Sequence, residues 1–456
     1  MSDSLKRNFK YALFAQIITV IVSFITGIIL PKLISIEDFG YWQLFVFYCT
    51  CFEFSMLGIP NGFYLKYAGK LKISNSLIKK NFYVILFLSS AFAYLFYCCT
   101  NKVLNLYLAI AVLIINIGTY YSYVTQSFNK IQVNAIANIF LNTTIILGFN
   151  IAIILDFTDI KTYILIFILS HFCKTVFLIY ANNKNLEEKV LLKINYFLQL
   201  RNLMKIGLML LLIDYTNVLA LGISRLMCEN RFGIVLFSKL SLAISLILLV
   251  INFLNQVIIS LLPGLRRLNK DVIKIYYQKG RILVLSISLF IFLFYEPAIK
   301  LFEIWLPNYF DSIVYIVLFL PYLIFESKMQ IIFSLLFKVL RKEVALLKIN
   351  IIYLCCVLIN SYILIFCYSD IEKMIISILV LSCIRSMLAE LFLSKILNTM
   401  VSFTKIIIEI TVSILFLSKQ FYYSEIESFI YYVVIFFLIL YSVKQYKNLN
   451  DIRVRS

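Results

Sequence analysis

The chain has 456 residues, 62% of them hydrophobic and 16% aromatic, with a mean hydropathy of +0.94. Those values lie far from the range of soluble domains and exclude most water-soluble enzyme classes. Its 42 Lys and Arg against 23 Asp and Glu leave a net charge of +19, which in so apolar a chain points to anionic lipid headgroups and membrane topology, with no nucleic acid as partner.

A helix needs about 20 apolar residues to cross roughly 30 Å of hydrocarbon. The first such run, Tyr11 to Ile34, follows basic residues as a signal peptide would, but it is too long and lacks a small-residue cleavage site, so it reads as a retained span. Further runs lie near 41–62, 82–100, 104–124, 133–155 and 162–181. After a polar stretch from Asn182 to Lys205 come runs near 206–226, 233–262, 282–302, 312–337, 347–368, 372–394, 404–418 and 428–443. The pattern predicts an all-α polytopic membrane protein of about fourteen transmembrane helices. It is divided as a six-helix lobe over 1–190, a second over 191–400, and an additional pair with a tail over 401–456.

Loop charge orients these spans. Lys and Arg are retained on the cytoplasmic side, and alternate loops are basic: Lys66, Lys70, Lys72, Lys79 and Lys80; then Lys184, Lys189, Lys193, Arg201 and Lys205; then Arg266, Arg267, Lys270, Lys274, Lys279 and Arg281. The loops between them are short and acidic, with Glu37 and Asp38, Asp156 and Asp159, Glu303 and Asp311, Asp370 and Glu372, and Glu425 and Glu427. The alternation persists to the C-terminus, which predicts an even span count, both termini in the cytoplasm and a multi-pass protein of the bacterial inner membrane. The ten cysteines, among them Cys98, Cys99, Cys355 and Cys356, fall mostly in apolar runs with no CxxC pair, and His171 is the single histidine. No metal site and no resident cofactor are expected.

The first outer turn, "LISIEDFG" (Leu33 to Gly40), is read as two carboxylates in outer water followed by a glycine that lets the chain reverse. It has an echo in "LMCENRFG" (Leu226 to Gly233), at the equivalent place in the second lobe. Repeated halves are a common plan for alternating-access transporters. "GIILPKLISIEDFGYWQLF" followed by "LGIPNGFYLKYAG" resembles the first two spans of polysaccharide-unit flippases, members of the superfamily of multidrug, oligosaccharidyl-lipid and polysaccharide exporters. The resemblance is best over residues 8 to 70, and Asn230 and Arg231 replace the acidic pair in the second copy. It implies two six-helix lobes around a central cavity, lined by the first two spans of each lobe. It also implies an undecaprenyl-pyrophosphate-linked oligosaccharide as substrate, for O-antigen or capsule assembly, with membrane lipids, a polysaccharide polymerase and a chain-length regulator as partners.

Polar periodicity identifies candidate cavity faces. Gln16, Thr19, Ser23 and Thr26 share a face of span one; Gln43, Thr50, Glu53 and Asn61 form a stripe on span two. Span seven aligns Asp214, Asn217, Ser224 and Arg225, and span eight aligns Ser241, Ser245, Asn252, Asn255 and Gln256. Lipid offers no hydrogen bonds, so such stripes face protein or water. The Asn134, Asn138 and Asn142 ladder of span five is read as interhelical packing.

An ionisable group at bilayer depth costs at least about 2.5 to 3.5 kcal/mol unless paired or hydrated. Arg225, Lys239, Lys174 and Arg385 are the candidate cationic surface for a pyrophosphate and acidic sugars. Asp214 and Glu53 are candidates for a coupling site that takes H+ or Na+, and His171, one turn from Lys174, is a third. Glu326, Glu390, Glu409 and Lys328 complete the intramembrane set, and spacing within a helix pairs none of them: Glu326 and Lys328 stand about 200° apart around their axis. Two other functions compete. A multidrug exporter of the same superfamily would use these carboxylates on organic cations. A membrane polymerase or glycosyltransferase needs a larger outer loop or an acidic catalytic pair, and only Asp156 and Asp159 have suggestive spacing. No GxxxxGK[ST] loop is present for nucleotide phosphates.

Overall fold

The computed structural model describes residues 3–68, 74–99, 104–183, 196–259, 270–399, 403–421, 432–442 and 444. Every regular element among them is a helix, the one unclosed element that satisfies its backbone in hydrocarbon. Among the described residues ten helices are long and apolar enough to cross a membrane, and twelve spans result if each of two bent pairs counts as one. Phe403–Phe421 and Tyr432–Ser442 stand where the last two spans were expected. The chain is a multi-pass membrane protein. Lys70, Lys72, Lys184, Lys189, Lys193, Arg266, Arg267, Glu425 and Glu427 lie outside the described residues.

Two compact units, Met1–Val218 and Leu219–Ser456, divide the chain within span seven, Tyr196–Phe232. In the first unit, span two is broken. Ile36–Met56 and Ile59–Tyr67 meet at 60° across Leu57 and Gly58, both in the left-handed region at φ +48° and +71°. A leucine adopts that conformation only where its surroundings over-determine it. Here the surroundings are a glycine clamp. Gly58 and Gly62 face Gly207 of span seven so closely that a Cβ at Gly207 would overlap the Gly58 carbonyl oxygen and come within 2.7 Å of the Gly62 nitrogen. A Cβ on Gly62 would overlap the Leu203 backbone. This is small-residue packing of the kind that lets membrane helices approach backbone to backbone.

The asparagine ladder does pack between helices: Asn142 donates to Thr19 Oγ1 (2.7 Å), and Asn134 accepts from Ser122. In span one the hydroxyls of Thr19, Ser23 and Thr26 bond back to carbonyls three or four residues earlier in their own helix.

The second unit holds a buried cluster of Leu240, Ile244, Ile251, Leu289, Phe292, Leu323, Ile324, Val357, Ile375 and Phe416. Its span ten is also broken, Ser312–Phe319 meeting Tyr322–Val339 at 46°, at Leu320 and Pro321. Proline lacks the N–H that a continuous helix would use there. Pro297 lies in the first turn of a separate helix, Tyr295–Trp305, that follows span nine.

The two echoed turns differ from the sequence reading and from each other. Gly40 is buried inside the helix Ile36–Cys51, so it is not the reversing residue. The chain turns at Ile34, and Ser35 caps the new helix by accepting from the Asp38 backbone N–H (3.1 Å). Glu37 and Asp38 occupy its first turn, where the helix dipole favours negative charge. In the second copy the helix continues to Phe232, and Gly233 makes the turn itself at φ +88°.

Candidate functional site

Glu53 lies in a short 3-10 segment, Phe52–Met56, immediately before the break in span two. The segment is fixed from both sides. Asn116 of span four donates to Ser55 Oγ (2.7 Å) and Ser89 Oγ (2.9 Å), and Phe54 meets the Tyr215 ring edge-on at 5.3 Å. The glycine clamp sets span seven against span two. Because Leu203, Gly207, Leu211 and Asp214 recur at helical spacing, the clamp face continues to Asp214 two turns on. Tyr215, the next residue, hydrogen-bonds the Glu53 carboxyl, and Asp214 and Lys174 act on Glu53 electrostatically. Tyr123 of span four feels both carboxylates.

The first unit therefore gathers Glu53, Asp214 and Lys174, with two tyrosine hydroxyls, from four elements. Glu53, Lys174 and Tyr215 are half-buried and Asp214 is exposed. Glu53 stands within electrostatic reach of both Asp214 and Lys174. Such a set can accept a proton or a small cation, or offer Lys174 to an anion, and any of these changes its net charge. His171 packs its ring on Phe167 at 4.5 Å centroid distance and lies within electrostatic reach of Lys174. The structure brings Glu53 and Asp214 together, as well as Tyr215 and Tyr123, which the sequence does not single out because tyrosine in a membrane helix carries no polar signal of its own.

The other expected cations are in the second unit, each with its own surroundings. Lys239 pairs with Asp311, and Arg225 is 8% exposed with its guanidinium 5.9 Å from the Phe237 ring centroid. Arg385 is 5% exposed; it donates to Asn350 Oδ1 (3.0 Å) and Glu326 Oε2 (3.3 Å) and lies over the Tyr353 ring at 4.6 Å. Its charge is met inside the unit. Gln16 and Ser23 are half-buried, while the side chains of Asn252 and Gln256 lie outside the described part of their helix.

Spacing within a helix pairs none of the intramembrane charges of the second unit, and their partners come from other helices. Arg281, read from sequence as a loop residue, is 3% exposed and pairs with Glu390. Lys328 lies 3.7 Å from Glu390 and also pairs with Glu409. Tyr277 donates to Glu390 (3.3 Å), and Tyr322 and Gln330 donate to Glu326 at 3.2 and 2.9 Å. Four helices thus contribute one charge each in alternating sign, Arg281, Glu390, Lys328 and Glu409. Among the described residues no group of three or more metal-ligating side chains occurs.

No family model matches the sequence, and no curated protein does. Solved structures do. The lipid II flippase MurJ in its inward closed conformation superposes with a TM-score of 0.65 at 14% identity, over 98% of both chains. The chain has the fold of this flippase. The Vibrio cholerae MATE transporter VcmN, in a mutant form, gives 0.57 at 14% identity over 86% of this chain and 96% of its own. A MOP superfamily transporter from Pyrococcus furiosus gives 0.55 at 14% over 86% and 94%. The three solved proteins are a flippase and two transporters.

Proposed function

We propose that this protein moves undecaprenyl-pyrophosphate-linked oligosaccharide repeat units from the cytoplasmic to the outer leaflet of the bacterial inner membrane by alternating access, for O-antigen or capsule assembly. The observation that carries this reading is the likeness to the lipid II flippase over 98% of both chains, where the MATE structures match 85–87% of this one. A lipid-linked pyrophosphate is the shared chemistry of the two substrates. The loop charges support a cytoplasmic position for both termini, and a polymerase and a chain-length regulator act on the delivered units.

Lys174 is the cation offered to the headgroup in the first unit, because it stands within electrostatic reach of Glu53, whose protonation would release it. Glu53 and Asp214 are the coupling pair for H+ or Na+, with His171 beside Lys174 as a further titrating group. Arg225 and Lys239 serve the headgroup in the second unit; Arg385 serves it only by leaving Glu326. A second reading, cation-coupled multidrug export, is favoured by the excess of carboxylate over ammonium around Glu53, which suits an organic cation.

Reconstituted protein should move a fluorescent polyprenyl-pyrophosphate sugar between leaflets of liposomes, and Lys174→Ala should abolish that movement. Absence of movement with several sugars, together with proton- or sodium-driven export of a cationic dye that Glu53→Gln stops, would replace the flippase by the exporter.

A further inference from the structure

A groove of about 450 Å³ lies in the first unit against the break in span two. Its lining is Leu57, Tyr83, Val84, Phe87 and Leu88 of span three, and Leu200 and Met204 of span seven. It opens outward, for Tyr83 and Phe87 are 64% and 73% exposed. Its size falls in the roughly 300–1,000 Å³ range of ligand sites. Apart from the Tyr83 hydroxyl, no lining side chain is polar.

One end of the groove is cationic. Lys79 and Lys80 precede Tyr83 and Val84 by four residues, one helical turn, and so sit above the same face. Lys80 bridges the two walls: its ammonium lies 5.4 Å from the centroid of Tyr196 in span seven, and the Tyr196 hydroxyl is 3.0 Å from Asn81 Oδ1 in span three. Arg201 and Lys205, each next to a lining residue, are exposed on the other wall. Neither 75–99 nor 196–213 contains a single acid. An apolar slot under four cations matches a molecule with a hydrocarbon chain and an acidic headgroup.

We infer that this groove is a specific site for one acyl chain of an anionic phospholipid, with its phosphate held by Lys79, Lys80, Arg201 and Lys205. A slot of about 450 Å³ suits a single acyl chain, and the four cations at its end suit a phosphate headgroup. The site needs only that the chain spans a membrane, so it stands or falls apart from the transported substrate. Its floor is Leu57, the left-handed residue at which span two breaks. A bound chain therefore buttresses the break, and with it the position of Glu53.

The test uses full-length protein in nanodiscs of phosphatidylcholine with phosphatidylglycerol as the minor lipid, extracted and weighed by native mass spectrometry. Wild type should retain phosphatidylglycerol over phosphatidylcholine. The preference should fall roughly fivefold for each cation removed in Lys79→Ala, Lys80→Ala and Arg201→Ala, and Lys80→Arg should keep it. Phosphatidylglycerol with a photoreactive group on its chain should label the segments 83–88 and 200–204 in the unsubstituted protein. Equal retention of the two lipids, retention untouched in the triple Ala variant, or chain labelling confined to other segments would each overturn the site.

Discussion

Glu53, Asp214 and Lys174 in the first unit are half-buried or exposed and unequal in sign, whereas Arg281, Glu390, Lys328 and Glu409 in the second alternate in sign and are nearly sealed. Both clusters place charge at membrane depth, where an isolated ion is expensive. The second meets most of its charge internally, Arg281 pairing with Glu390, Lys328 with Glu409 and the Tyr277 hydroxyl donating to Glu390, with Lys405 in electrostatic reach. The first leaves it open to whatever water, ion or headgroup reaches it. On the proposed function, the sealed network serves as scaffold and the open, unequal cluster as the place where something binds.

That contrast can be attacked from its strongest side. Glu390→Ala leaves Arg281 and Lys328 without their shared partner, and removing one member of a buried ion pair costs about 3–5 kcal/mol; a large fall in detergent melting temperature should follow. Replacing all four charges by Met and Leu of similar volume should restore most of the loss. An unchanged melting temperature for Glu390→Ala would mean the network is hydrated and the contrast false.

The glycine clamp is next. Gly207→Val drives a branched side chain into the Gly58 carbonyl, and overpacking of this kind costs about 1–3 kcal/mol. Transport should fall with stability, because the clamp sets span seven against Glu53. A smaller effect is expected at Asp370, which caps span twelve by accepting from the Lys373 backbone N–H (2.9 Å), so that Asp370→Ala should cost about 1 kcal/mol. Hydrogen bonding from Lys373 holds the Asp370 carboxyl below the usual carboxylate range. Its contribution is therefore present above that range and lost as pH falls through the lowered folded-state value. Melting curves of wild type and Asp370→Ala should converge on acidification.

The smallest stability effect is expected where the functional one is largest. Glu53→Gln and Asp214→Asn, at half-buried and exposed positions, should leave stability within about 0.5 kcal/mol and yet alter the pH or sodium dependence of transport in liposomes. A variant that unfolds instead would move Glu53 to the scaffold class.

The spans themselves were legible because hydrocarbon forces a long apolar run to be a helix, and the asparagine ladder because its period fixes a shared face. Three features were not. Arg281 reads as a loop residue since its neighbours Lys274 and Lys279 are basic and only the partner helix carrying Glu390 shows that it is inside. Gly40 reads as the turn, yet Ser35 five residues earlier is the better helix cap, a choice that local hydrogen bonding makes and hydropathy does not reveal. The break after Glu53 was invisible for a different reason: Gly58 and Gly62 stand in plain spacing, but their meaning depends on Gly207, far along the chain.

The alternating network also orders the protein's biogenesis. Span nine, carrying Arg281, and span ten, carrying Lys328, emerge from the ribosome before the helices that hold Glu390 and Glu409. Two cations must enter the bilayer, or wait beside the insertion machinery, until their counter-ions are synthesised. The charge network is thus completed only when Phe403–Phe421 arrives, and a chain interrupted before Glu409 would present two cations, Arg281 and Lys328, with Glu390 alone between them to membrane quality control.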